Sequence, residues 1–204
     1  MTLLQYKNLY TMLTLQELKY ITKKNSLYNI SITFLSSSIT YFNETSKLDH
    51  SPLFKIIANI YKPISGRVIV SQKKPYCLYI NNNLGLRNQM TPLEHLKFWS
   101  RLYNSSETIE ASIHCFGLQN VLNVTCDKLS IIDRKKLALS KLISCQSDVW
   151  LLDEIESDLN EETKHLVQNL IISKANNGGI ILISTQCDKA IKTPQTLNME
   201  DYNF

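Results

Sequence analysis

Two adjacent carboxylates, Asp153 and Glu154, close the apolar run Val149-Trp150-Leu151-Leu152. A short uninterrupted apolar run reads as a strand buried on both faces. Two acids at the end of such a strand suit metal-assisted general-base chemistry, provided that something beside them cradles a phosphate. An isolated Asp-Glu pair commonly does no more than cap the following loop. The weight of this one therefore depends on its neighbours in the chain: Leu129-Ser130 upstream, which opens a basic amphipathic segment, and the apolar run Ile180-Ile181-Leu182-Ile183 downstream, which leads into Ser184-Thr185-Gln186.

Residues 12–20 and 27–35 each alternate apolar and polar, with Lys23-Lys24-Asn25-Ser26 between them, and predict a hairpin-like pair of strands. Ile39-Thr40-Tyr41-Phe42 is a short β-branched and aromatic strand. A polar loop over 43–51 follows. Ser51-Pro52, with Leu53, Phe54, Ile56, Ile57 and Ile60 behind it, predicts a helix with Ser51 as N-cap and Pro52 in the first turn. Residues 62–66 turn, and 67–70 form a strand. Thr91-Pro92-Leu93-Glu94 opens a helix with a capping residue, a proline and an early acid, and Leu93, Leu96, Phe98, Trp99 and Leu102 recur at helical intervals. Further helices are expected over 133–144 and 161–174, and a buried strand over 180–184. Residues 1–11 read as an N-terminal extension to a single domain over 12–204, with a helical lobe at about 88–130. Strands alternating with helices, plus a helical insert, make this an α/β chain: a mixed sheet covered by helices, the architecture that hosts P-loop nucleotide hydrolases.

Composition narrows the class. With 44% hydrophobic and 20% charged residues the chain is globular. A net charge of +4 would permit an acidic partner, but the lysines are scattered, no basic block occurs, and there is no aromatic-basic platform or recognition-helix signature. No nucleic-acid partner is expected. No apolar run approaches the roughly 18–20 residues of a membrane span, and residues 1–19 lack the pattern of a signal peptide, so a cytoplasmic chain is expected. Cys77, Cys115, Cys126, Cys145 and Cys187 show neither metal-ligand nor redox spacing, which predicts buried free thiols and no permanent metal.

Three strings in this order resemble the ATPases of ABC transporters, and more narrowly the ATP-binding subunit of the cytochrome c maturation (heme exporter, CcmA-type) transporter. They are Leu53-Phe54-Lys55-Ile56-Ile57-Ala58 with Lys62-Pro63-Ile64-Ser65-Gly66; Gly85-Leu86 with residues 91–99; and Leu137-Ala138-Leu139 through Trp150-Leu151-Leu152-Asp153-Glu154. The resemblance covers roughly residues 12–196. It implies a P-loop ABC ATPase domain with a helical subdomain, working with Mg-ATP. Two copies would sandwich nucleotide head to tail against a membrane permease, peripherally on the cytoplasmic face of the inner membrane. It further implies that Asp153 helps to hold Mg²⁺, that Glu154 polarises the attacking water, that Ser51 is the P-loop serine on Mg²⁺, and that Ser130 is the signature serine facing the opposite subunit's phosphate. The contact with the permease is expected within residues 83–100.

Several stations depart from that family's pattern. A P-loop works because backbone N–H groups of a glycine-rich turn, a helix N-terminus and a lysine converge on phosphates. The matching segment here is Glu44-Thr45-Ser46-Lys47-Leu48-Asp49-His50-Ser51, with no glycine, two added carboxylates and a histidine in place of the lysine. Left-handed backbone costs a non-glycine residue about 1–2 kcal/mol, and a histidine carries little charge at neutral pH. The signature reads Leu129-Ser130-Ile131-Ile132-Asp133, with isoleucine for glycine. The switch positions hold Asn83 for glutamine and Gln186 for histidine. Two readings follow: an ATP-hydrolysing energy subunit, or a non-hydrolysing pseudo-ATPase that serves as a structural partner or is an eroded remnant.

Overall fold

The computed structural model describes residues 12–21, 27–43, 50–71, 77–185 and 195–197. The expected extension 1–11 therefore lies outside the described residues. Two compact units are formed, one from the described residues of Met1–Tyr79, Ser147–Ile155 and Ser173–Phe204, the other from Ile80–Gln146 and Glu156–Ile172. In chain order the first contains β1 (Met12–Ile21), β2 (Leu27–Leu35), β3 (Ser38–Asn43), α1 (Ser51–Ile57), β4 (Ser65–Val70), most of β5 (Cys77–Ile80), β6 (Val149–Asp153), β7 (Ile180–Thr185) and β8 (Gln195–Leu197).

The expected mixed sheet is realised as two sheets. A three-stranded antiparallel sheet has the order β2-β1-β4, and a five-stranded sheet the order β5-β6-β7-β3-β8. The alternation of β1 buries Leu13, Leu15, Leu18 and Tyr20. The inward step from 15 to 18 marks a β-bulge, since Leu15 faces Ile32 and Leu18 faces Ile30, which leaves one extra residue in β1. Glu17 takes it up with φ 46°. On the other side of β1, Gly66 sits at φ 79°, and a Cβ there would lie 2.2 Å from the Glu17 carbonyl oxygen. Only glycine fits against the bulge.

In the second sheet β6 and β7, β7 and β3, and β3 and β8 are parallel. Ser184 of β7 is the register partner of both Asp153 and Phe42. Parallel pairing thus brings the carboxyl ends of β3, β6 and β7 side by side, the edge at which open parallel sheets bind their ligands. Phe42 packs edge-on against Phe54 of α1 at 5.4 Å between ring centres and beside Phe34 at 6.3 Å. With Leu53, Ile57, Leu151 and Leu182 these rings fill the core of the unit. The helix expected to reach Ile60 stops at Ile57, and Ile60 is exposed.

The second unit is helical: α2 (Pro92–Tyr103), α3 (Thr108–Phe116), α4 (Ile131–Leu139), α5 (Lys141–Ser144) and most of α6 (Glu161–Asn176). The cap read from Thr91-Pro92-Leu93-Glu94 forms as expected. Thr91 Oγ1 accepts from Glu94 N at 3.3 Å and Glu94 Oε2 accepts from Thr91 N at 2.8 Å. These hydrogen bonds from Thr91, backbone first, hold the Glu94 carboxyl below the usual carboxylate range. Asn104 and Gly117 close α2 and α3 in left-handed conformation. The single helix expected over 133–144 is two, parted at Ser140, whose hydroxyl donates to the Leu137 carbonyl. Of the cysteines, Cys126 and Cys145 are buried, but Cys115 is exposed, against expectation, and Cys187 lies outside the described residues. No helix among the described residues is long and apolar enough to cross a membrane.

Candidate nucleotide site

Asp153 ends β6 at 2% exposure, its carboxylate enclosed by hydroxyl donors. Ser51 Oγ donates to Oδ2 at 2.8 Å, Tyr79 Oη donates to the same Oδ2 at 2.7 Å, and Ser184 Oγ donates to Oδ1 at 2.7 Å. The donors come from α1, β5 and β7. Ser184 also accepts, since the Glu154 N–H points at Ser184 Oγ at 3.0 Å and at the Ser184 carbonyl oxygen at 3.2 Å. Glu154 is thereby held just beyond the strand in left-handed conformation, φ 53°, with its side chain half-buried. Backbone in that region costs a non-glycine residue of order 1–3 kcal/mol and persists only where its surroundings hold it.

The start of α1 corrects one expectation. Ser51 is the first helical residue rather than the cap; His50 stands at the cap position with no side-chain cap hydrogen bond. The hydroxyl that local reasoning assigned to capping is used on Asp153 instead. His50 is 1% exposed, and its ring lies 5.4 Å from that of Phe42. The residue at the position where the family has its phosphate-binding lysine is therefore buried, with its ring beside Phe42. Glu44, Thr45, Ser46, Lys47, Leu48 and Asp49 lie outside the described residues, as does Gln186.

The remaining stations belong to the second unit. Ser130 is the N-cap of α4. Its Oγ accepts from Asp133 N at 3.0 Å and donates to Asp133 Oδ2 at 2.6 Å, so the hydroxyl is engaged by its own helix and has a carboxylate beside it. Ile131 and Ile132 follow, both exposed. Asn83 is exposed in the bend after β5. Its neighbour Asn82 accepts from Ser157 Oγ at 3.4 Å, and Ser157 is bound through both its hydroxyl and its carbonyl by Lys135 of α4, which also pairs with Asp158 at 3.0 Å. Deeper in this unit Lys141 lies under Trp99, with Nζ 5.1 Å from the ring centre, and burial pushes its pKa down to about 8. His95 stacks on the same indole at 5.2 Å, and burial likewise lowers its pKa below the ordinary value. Among the described residues no group of three or more His, Cys, Asp or Glu side chains could hold a metal ion.

A sequence model of the ABC transporter family matches residues 50–157, beginning at His50 and taking in Ser51, Ser130, Asp153 and Glu154. The cytochrome c biogenesis ATP-binding export protein CcmA of Rickettsia felis is 46% identical over 194 residues, covering 92% of this chain and the whole of the relative. The chain belongs to the ABC transporter ATPases, in their cytochrome c biogenesis (CcmA) branch. The CcmA protein of Rickettsia bellii is 45% identical, with 92% of this chain and all of the relative covered. Among solved structures, a protein described as an ABC transporter ATP-binding protein from Pyrococcus furiosus superposes with a TM-score of 0.78 at 19% identity, covering 95% of this chain and all of that one. That likeness supports the ABC ATPase fold.

ABC ATPases as a family bind Mg-ATP and work with a membrane-embedded transporter partner. Sequence reasoning found Ser51 and Asp153 of the carboxylate cluster and missed Tyr79 and Ser184. Ser184 carries a local signal, a polar residue ending an apolar strand as Asp153 does, but its pairing with Asp153 requires the order of strands. Tyr79 carries no such signal. An aromatic residue in a short strand is ordinary, and only the adjacency of β5 and β6 points its hydroxyl at the carboxylate.

Proposed function

We propose that this chain is the ATP-binding-cassette subunit of a transporter for c-type cytochrome biogenesis, handling heme or its chaperone. It would be seated on the cytoplasmic face of the inner membrane against a permease and paired with a second ATPase subunit. The observation that carries this reading is near-full-length similarity at 46% identity to a CcmA export protein, on a chain in which the start of α1 and the end of β6 bring Ser51 and Asp153 together. Within residues 83–100 the exposed aromatic available to the permease is Phe98, at 48% exposure; Trp99, which the helical pattern placed beside it, is 6% exposed and packed under Lys141 and His95. Co-purification from detergent-solubilised membranes tests the assignment: the tagged chain should bring down the permease of its own transporter, and recovery of the chain alone would refute it.

A second reading is favoured by the site itself: the subunit holds its place in the complex without hydrolysing ATP. Ser51 and Asp153 are bonded to each other, the His50 ring lies beside Phe42, the segment before it has acids where the family has glycines, and Ser130 is engaged by Asp133. These residues do not fit a triphosphate. Titration of the purified chain with Mg-ATP should show no saturable binding below about millimolar, equivalent to less than about 4 kcal/mol of binding free energy; micromolar affinity would overturn that misfit.

A further inference from the structure

The Asp153 carboxylate is nearly sealed from water and must be compensated within the fold, because a buried charge without partners is strongly unfavourable. In a cation site the metal would provide much of that compensation. Here three neutral hydroxyls provide it, at 2.7–2.8 Å, from three separate elements. Two of them converge on Oδ2, so both in-plane lone-pair directions of that oxygen are used. A Mg²⁺ bonding Oδ2 would have to displace the hydrogen of Ser51 or of Tyr79, and each is a short bond to a carboxylate of the stronger class. Mg²⁺ also keeps several of its ligands from water and substrate phosphates, and the displacement has no phosphate cradle to offset it.

We propose that Asp153 is a structural anchor rather than a cation ligand, its carboxylate held by Tyr79, Ser51 and Ser184 so that β6 stays joined to β5, α1 and β7 with no Mg²⁺ present. The proposal rests on the non-hydrolysing reading above and goes beyond it by assigning the old metal position a new role and Tyr79 the central part in it. Ser184 extends the anchor to Glu154, whose left-handed backbone is held by the same hydroxyl that serves Asp153.

Thermal unfolding of the full chain tests this, with the parent, Tyr79→Phe, Asp153→Asn and the double variant each measured in EDTA, in Mg²⁺ and in Mg-ATP. In EDTA each single variant should lower Tm by about 3–10 °C. The double variant should fall short of the sum, because both remove one hydrogen bond. Free Mg²⁺ should leave the parent's Tm unchanged. If Asp153→Asn does not fold, Tyr79→Phe and a direct Mn²⁺ titration of the parent, followed by the electron spin resonance of the free ion, decide the matter. Variants as stable as the parent in EDTA, or a parent that takes up Mn²⁺ at micromolar concentration without nucleotide, would overturn the anchor. Release of phosphate from Mg-ATP by a parent that still loses stability in EDTA on Tyr79→Phe would leave the anchor standing and defeat the non-hydrolysing reading instead.

Discussion

Ser51 Oγ donates to Asp153 Oδ2 across 2.8 Å, although 102 positions separate the two residues in the chain. The first residue of α1 is thereby fastened to the last residue of β6, and the serine hydroxyl is withdrawn from the capping role that its place before Pro52 suggests. Ser51→Ala should consequently behave as a loss of buried hydrogen bonding. A cost of about 1.5–3 kcal/mol in urea unfolding at unchanged m-value is expected. A cost of a few tenths, as for a fully exposed serine, would show that the pair is not formed in solution.

Trp99 and Phe98 are neighbours in α2 with opposite fates, 6% and 48% exposed. Trp99→Ala should cost about 3–5 kcal/mol, because it empties a large buried site beneath Lys141 and His95. Phe98→Ala should stay within about 0.5 kcal/mol. Equilibrium unfolding of the two variants side by side checks the orientation of the helix, and the reverse order of costs would mean that α2 is rotated about its axis.

Gly66 supplies a sharper steric test. At φ 79°, with a Cβ only 2.2 Å from the Glu17 carbonyl oxygen, Gly66→Ala must strain its own backbone and also push the bulge of β1 away. The backbone strain alone is about 1–2 kcal/mol, and the clash adds to it. Glu17→Gly, at the exposed bulge where φ is 46°, relieves strain and should remain within about 1 kcal/mol of the parent. Denaturation midpoints for the pair give the comparison; equal costs would argue against the bulge.

Burial of Lys141 under Trp99 carries a pH signature. Its pKa falls from 10.5 to about 8, so between about 8 and 10.5 the unfolded chain holds a proton on this lysine that the folded chain has released. Stability should rise with pH across that window, by up to about 1.4 kcal/mol per pH unit from this group. Lys141→Met should remove that part of the slope and be the more stable of the two at neutral pH. His95 acts at the acid end: its folded pKa is lowered by burial, so stability is lost as pH falls below its ordinary value near 6.5. Urea midpoints from pH 5 to 10 for parent and Lys141→Met measure both, and parallel curves above pH 8 would contradict the buried position of the ammonium group.

Much of this molecule was legible from local pattern, because the interactions responsible are local. The alternation of β1 and β2 specifies a hairpin whose inward residues are buried. Thr91 and Glu94 specify a capping box because both partners lie within one helical turn. The apolar run before Asp153 requires a buried strand with acids at its end. The departure of residues 44–51 from the family's phosphate-binding pattern could also be read residue by residue, since no glycine stands there and His50 occupies the position of the family's lysine.

Packing decided the rest. Adjacent helical residues lie about 100° apart around the axis, so an apolar stripe containing both Phe98 and Trp99 is satisfied with either one inward, and the neighbouring Lys141 and His95 made the choice. That the buried His50 ring lies beside Phe42 depended on β3 and α1 sharing a core. The partners of Asp153 depended on strand order, since Ser184 meets it across the β6–β7 pairing and Tyr79 reaches it from β5. One segment's pattern records which side chains must leave water; their partners in the interior are set by which distant segments are packed beside them.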